Sequence, residues 1–257
     1  MTKWWRKRRR ARVQARPFPA QWREIVERNF GLFASLTSVE QDDLINRMKV
    51  FLAEKKFEGC GGLEMTDEIR VTVAAQACLL LLHQEDPHYY PHLMTILIYP
   101  HAYVASQKRV LAGGIVVEEP SARLGESWVR GVVVLSWDDV RSGASCANDG
   151  HNVVLHEFAH QLDQEDGVSD GAPILEQRSH YVAWARVLGA EFEDLRSRLD
   201  RGRSTDIDPY AATDPAEFFA VVTEAFFEKP KSLRRKHPDL YEELSAYYAQ
   251  DPAGWGR

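Results

Sequence analysis

His156-Glu157-Phe158-Ala159-His160 sets two imidazoles four residues apart, with an acid directly after the first. Residues four apart on a helix share a face, so His156 and His160 aim both rings at one point. Two neutral imidazoles on rigid backbone make half of a tetrahedral zinc site, which implies one Zn2+ per chain. Glu157 lies on the adjacent flank, where it can take a proton from an attacking water without ligating the metal. It can later pass that proton to a leaving amine, while zinc polarises the carbonyl and acidifies the water. The bland alternative is a partly buried helix carrying two incidental histidines. Val153, Val154, Leu155, Phe158 and Leu162 weigh against it, because they supply the apolar packing that seats such a helix in a core. His151 lies five residues before His156, off the shared face, and reads as a surface or capping residue.

A catalytic zinc takes a third protein ligand and keeps a fourth position open. Gln161 to Asp166 contains neither Gly nor His, and the only histidines further on are His180 and His237. A carboxylate on a second helix is the better candidate, and Asp214-Pro215-Ala216-Glu217-Phe218-Phe219 offers Glu217. The same spacing suits a capping box, with Asp214 as N-cap and Glu217 at N3, so a purely structural role stays open. Glu224, two turns on and nearly on the same face, is the reserve ligand. Seven residues separate the two acids by about 10 Å along the axis, so only one can meet the histidine pair. Glu217, in the first turn, is the expected ligand, and Glu224 is expected to support a histidine from behind the metal. Phe218, Phe219, Val221, Val222, Phe226 and Phe227 make this helix too apolar for the surface, and an acid within it needs a partner. Asp163, three residues after His160, is either the acceptor of a ligating imidazole's outer N–H or a surface acid at a helix end. Tyr210 is either a donor to the oxyanion of a tetrahedral intermediate or an ordinary loop tyrosine.

The elements that hold these residues read as helices, then strands, then helices, which is an α+β order. A short amphipathic stretch opens at Trp22. Ser38 with Gln41 suggests a capping box for a helix to about Leu52, and Thr66 starts another through about Gln84. Thr95 to Tyr99, Val110 to Val117 (interrupted by Gly113-Gly114) and Gly131 to Ser136 read as strands. Asn152–Asp163 reads as the motif helix, Leu175 to Leu199 as a long helix, and Pro215, Pro230 and Pro238 punctuate a helical C-terminus.

The 257 residues are 44% hydrophobic and 27% charged, ordinary globular composition that argues against disorder or a bare coiled coil. Cys60, Cys78 and Cys146 are too few and too scattered for a disulfide framework, which points to a reducing setting. The apolar stretch Val71 to Leu82 is too short for a membrane span, and the N-terminus lacks the apolar core of a signal peptide. The net charge of −6 hides an asymmetry, since residues 1–16 hold eight basic side chains and no acid. The remainder has 24 basic against 38 acidic residues, near −14, so direct nucleic-acid binding by the body is not expected. The expected organisation is a flexible basic leader over 1–19, one domain over 20–250 and a C-terminal tail over 251–257.

His156 to Asp163, together with Asp208-Pro209-Tyr210-Ala211-Ala212-Thr213-Asp214-Pro215-Ala216-Glu217-Phe218-Phe219-Ala220-Val221, resembles the MtfA (Mlc titration factor A) family of zinc metallopeptidases. Further matches are Ala74-Ala75-Gln76-Ala77-Cys78, Ile98-Tyr99-Pro100 and Leu135-Ser136-Trp137, so the resemblance covers about residues 20–250 and leaves out the leader. It implies zinc held by His156, His160 and Glu217, Glu157 as base and Tyr210 assisting. It also implies a zincin-like domain of gluzincin type, similar to lethal-factor toxins, with a mainly helical N-terminal region and a small sheet beside the active-site helix. A cytoplasmic peptidase with aminopeptidase-like action follows from it, as does binding of the glucose repressor Mlc. Thermolysin-like gluzincins often place an Asp four residues after the ligating Glu. Val221 stands there, so support for a histidine falls to Asp163 or to backbone carbonyls. The competing reading is an interaction protein that sequesters a transcription factor around a structural zinc. Glu157 discriminates the two, because a structural site has no use for an acid beside an open metal position.

Overall fold

A computed structural model of the chain describes residues 3–111, 115–123, 125–128, 131–146 and 148–256. Helices α1 (Lys3–Gln14), α2 (Ala20–Asn29) and α3 (Ser38–Glu54) open the chain, followed by strand β1 (Lys56–Gly59) and helix α4 (Asp67–Leu79). Strands β2 (Thr95–Tyr99), β3 (Tyr103–Leu111), β4 (Ile115–Arg123), β5 (Gly125–Trp128) and β6 (Val132–Ser136) come next. Helices α5 (Trp137–Ser145), α6 (Val153–Asp163), α7 (Arg178–Asp200), α8 (Pro215–Glu228), α9 (Pro230–Lys236) and α10 (Pro238–Tyr248) complete it. The α+β class expected from the sequence is present. One sheet has the order β1-β2-β6-β5, with β1, β2 and β6 parallel and β5 antiparallel on the edge. The register runs from Thr95 opposite Val132 to Tyr99 opposite Ser136. β3 and β4 pair separately as an antiparallel hairpin, and the Gly113-Gly114 interruption lies outside the described residues.

The local start signals act close to where they are expected. α3 does carry a capping box, but one residue early: the Thr37 side chain accepts from the Glu40 N–H, and the Glu40 carboxylate accepts from the Thr37 N–H. Thr66 caps α4, which ends at Leu79 rather than near Gln84, because a tight turn follows and His83 takes a positive φ of 66°. The long apolar run, buried throughout from Val71 to Leu82, is thus a core helix to Leu79 followed by a buried turn. Gln76, its one amide, donates to the carbonyls of Thr72 and Val140, while its Oε1 is buried without a hydrogen-bond partner. Among the described residues no helix is long and apolar enough to cross a membrane.

Aromatic packing seats the elements that carry the chemistry. Phe158 of α6 meets Phe51 of α3 at 5.7 Å between ring centroids and Tyr90 at 4.7 Å. Tyr90 is itself fixed, since its hydroxyl donates to the Ala77 carbonyl at 2.6 Å. Lys55 donates to the carbonyls of Tyr90 and Leu93 at 2.7 Å each, and burial pulls its ammonium down to about 8. α8 is buried on nearly every side: Phe219 packs on Trp184 of α7 and Phe226 stacks on Tyr248 of α10.

The N-terminal stretch differs from the flexible leader expected. Residues 3–14 form α1, which lies against α3 and whose Val13 packs on the core. Arg10 explains the docking, because its guanidinium makes a two-pronged pair with Glu54 at 2.9 and 2.8 Å. It also donates to the Pro87 carbonyl at 3.0 Å and stacks over the Tyr89 ring. At the other end of the chain, Asp251 and Ala253 are held by the Tyr241 hydroxyl of α10, and Trp255 meets Phe227 of α8. Arg10→Ala should lower unfolding stability by about 1–3 kcal/mol, because it leaves Glu54 partly buried without its partner. Chemical denaturation checks this, and an unchanged midpoint would mean that α1 adds nothing to the fold.

Candidate metal centre

Two helix N-termini set the site. Asn152 caps α6 by accepting the Leu155 N–H at 3.0 Å, and its amide donates to the Gly143 carbonyl at 3.1 Å. Asp214 caps α8 by accepting the Glu217 N–H at 2.9 Å, with Pro215 in the first helical position. A complete capping box would turn the Glu217 carboxylate back to the Asp214 N–H. Instead Glu217 Oε2 lies 3.0 Å from His156 Nε2 and 3.4 Å from His160 Nε2. Asp214 performs the cap, and the Glu217 side chain faces the histidines.

His156 Nε2 and His160 Nε2 are 3.2 Å apart, so the three donor atoms form a nearly equilateral triangle. Tetrahedral bonds of about 2.0–2.1 Å separate neighbouring ligand atoms by roughly 3.3 Å, and the triangle has those edges. Two ring nitrogens facing one another and a carboxylate oxygen make a donor set that a cation satisfies better than one shared proton. Among the described residues this is the one His/Cys/Asp/Glu group close enough to hold a metal ion.

Glu224 stands behind the triangle. Its Oε1 lies 2.8 Å from His156 Nδ1, and its Oε2 accepts the Asn152 N–H at 2.5 Å. One carboxylate thus orients the imidazole and ties down the start of the helix bearing it. Glu228, one turn further along α8, accepts the Gly150 N–H at 2.9 Å, and burial pushes its carboxyl up to about 9. Sequence reading passed over Glu228; its signal was the four-residue spacing from Glu224 on the same helical face. Asp163 does not take the expected place behind a histidine. It is fully buried and accepts from the Ser169 hydroxyl at 3.2 Å on Oδ2, because the loop after α6 folds back over it, while Oδ1 has no hydrogen-bond partner.

Burial and charge divide the ionisable groups. Burial opposes a charged His156, but Glu217 and Glu224 outweigh it and push the imidazole up to about 10. Burial also acts on Glu217, yet both imidazoles hold its carboxyl well below the usual range. Glu157 is only 4% exposed, and burial pushes it up to about 7 despite the neighbouring histidines. Its Oε2 is buried with no hydrogen-bond partner, an orphan acceptor beside the metal-ligating face. Tyr210 is 53% exposed, with its ring 6.1 Å from that of His156, and partial burial and then Glu217 raise its hydroxyl. His151 is exposed, as expected, within 3.9 Å of Asp208.

Residues 2–249 match the profile of the glucose-regulated metallo-peptidase M90 family. The match includes the basic stretch that the sequence resemblance left out. The uncharacterized protein slr2042 of Synechocystis is 41% identical over 249 residues, covering 96% of this chain and 90% of its own. Mlc titration factor A of Serratia proteamaculans is 33% identical over 236 residues, covering 91% of this chain and 88% of its own. Its Klebsiella pneumoniae counterpart is 33% identical over 224 residues, covering 86% and 83%. The resemblance to the MtfA family is therefore borne out, and the chain belongs to the M90 family of metallopeptidases.

Proposed function

We propose that this metallopeptidase is a zincin-like enzyme that holds one Zn2+ on His156, His160 and Glu217 and hydrolyses peptide bonds with Glu157 as base. The observation that carries the reading is the buried Glu157 carboxylate, its Oε2 without a partner, on the helix whose imidazoles join Glu217 in three converging ligand atoms. When bound, zinc supplies Lewis acidity to the substrate carbonyl and to the attacking water. Glu157 accepts the water's proton and delivers it to the departing amine, a task matched to a carboxyl poised near neutrality. Tyr210 donates its hydroxyl to the carbonyl oxygen as negative charge develops there. Glu224 accepts the Nδ1 proton of His156, which leaves the Nε2 lone pair free toward the ligand triangle.

The alternative, an interaction protein with a structural zinc, calls for four protein ligands. The described residues bring together three. Aminopeptidase-like preference and cytoplasmic location rest on the family resemblance. Binding of a Mlc-type repressor rests on the name that the Serratia and Klebsiella relatives carry.

Glu157→Gln should retain zinc and lose peptidase activity by at least about 10²-fold, since it removes the base and keeps the ligands. Metal analysis paired with kinetics on blocked and unblocked peptides measures both, and full turnover in a zinc-loaded variant would overturn the catalytic reading. Glu217→Ala should abolish tight zinc binding, whereas Glu224→Ala should weaken it about 10–100-fold through the His156 ring. Parallel zinc titrations separate these, and normal affinity in Glu217→Ala would reduce Glu217 to a helix-end residue. Tyr210→Phe should lower kcat by about 10²–10³-fold. A change confined to KM would assign Tyr210 to substrate binding instead.

A further inference from the structure

Helix α1 has two unlike faces. Arg6, Arg10 and Val13, spaced by four and three, are the partly covered side laid against the body. Trp4, Arg8, Ala11 and Ala15, with Trp5 and Arg12 beside them, recur at the spacing of the opposite side and are exposed. Trp4 and Trp5 are each 56% exposed, with ring centroids 5.0 Å apart, and the Arg8 guanidinium sits 4.6 Å over the Trp4 ring. Two adjacent solvent-facing indoles are costly on a face with no other role. Lys7 and Arg9 add exposed positive charge along the flanks. Lys49 anchors the far end of the helix by donating to the Gln14 carbonyl at 2.9 Å, so the face is carried on a fixed element.

We propose that this outer face of α1 docks the protein on an anionic lipid bilayer, with Trp4 and Trp5 entering the headgroup boundary and Arg8 and Arg12 pairing with lipid phosphates. Indole rings favour that boundary because one edge is apolar and the ring N–H finds a polar partner. Clustered guanidinium groups are drawn to the negative surface potential, and together the two forces suffice for reversible binding. A nucleic-acid groove is the poorer fit. Phosphate contacts along a duplex call for the cations alone, whereas the headgroup boundary also takes the two exposed indoles.

The test is flotation of the full chain with vesicles of phosphatidylcholine alone or with one quarter phosphatidylglycerol, read as the apparent Kd. Binding is expected only to the anionic vesicles and should weaken as salt rises. Arg8→Ala/Arg12→Ala should weaken it about 25-fold, at about fivefold for each cation lost. Trp4→Ala/Trp5→Ala should weaken it at least about tenfold while leaving net charge unchanged. Both pairs lie on the outer face, and circular dichroism establishes that the variants retain helix. A single-stranded RNA oligonucleotide serves as competitor and should not displace the protein from vesicles. Binding equal on neutral and anionic vesicles, binding to neither, binding indifferent to either double variant, or displacement by RNA would each overturn the proposal. Peptidase activity has no part in this readout, so its outcome is independent of the reading of the metal centre.

Discussion

The Glu224 carboxylate is the interaction on which the site depends. It accepts from the Asn152 backbone with one oxygen and meets the His156 ring with the other, so it fixes α6 to α8 at two atoms. Without that brace the first imidazole could rotate about its side-chain bonds, and the triangle with His160 and Glu217 would lose its shape. Glu228 repeats the device one turn on by holding the Gly150 N–H. The chain entering α6 is therefore gripped from α8 at alternate residues, Gly150 and Asn152. Gly150 takes a positive φ of 83°, a backbone conformation that favours glycine, so the second grip is built on a residue suited to it. Backbone and imidazole are organised by the same face of a single neighbouring helix.

Several carboxyl groups share this small volume, and surroundings separate their roles. Glu217 faces both imidazoles and is held ionised, which suits a ligand. Glu157 lies on the same helix as those imidazoles, and burial raises it toward neutrality despite them. Two glutamates near one centre thus become a permanent anion and a group able to take up and release a proton. The distinction comes from packing, because the residues are chemically identical. Glu157 Oε2, buried with no donor against it, is left able to accept a proton, which is the condition the proposed role as base requires.

Sequence reading reached the parts of the site that are encoded locally. The four-residue histidine spacing, Asn152 before α6 and Asp214-Pro215 before α8 are each readable within one or two helical turns, and the structure keeps all three. The capping spacing of Glu217 was ambiguous because the backbone donor and the side chain can be satisfied separately; here Asp214 serves the first and the histidines the second. Long-range pairings were hidden. Lys56-Phe57-Glu58-Gly59 has no strong strand pattern, and becomes β1 by lying parallel to β2. The arginine-rich stretch read as a solvated leader because its charges are visible and its anchor is not. Arg10 and Glu54 are 44 residues apart, beyond any helical periodicity. Asp163 misled for the same reason: its distance from His160 along the helix was readable, and the return of Ser169 over it was not.

Polar precision on one side of α6 requires apolar constraint on the other. Phe158, between the two motif histidines, points away from them into Phe51 and Tyr90. Those rings belong to α3 and to the loop before β2, and the loop is held in turn by Tyr90 on Ala77 and by Lys55 on the carbonyls of Tyr90 and Leu93. Tyr89 and Tyr90 both adopt positive φ, a costly geometry for tyrosine that persists because these contacts over-determine it. Arg10 reaches the same loop from α1 through the Pro87 carbonyl and the Tyr89 ring. A continuous path of packed and bonded groups therefore joins the outward-facing basic helix to the back of the metal-site helix. The N-terminal helix is part of the scaffold that seats α6, and the residues that dock it are distinct from those on its exposed face.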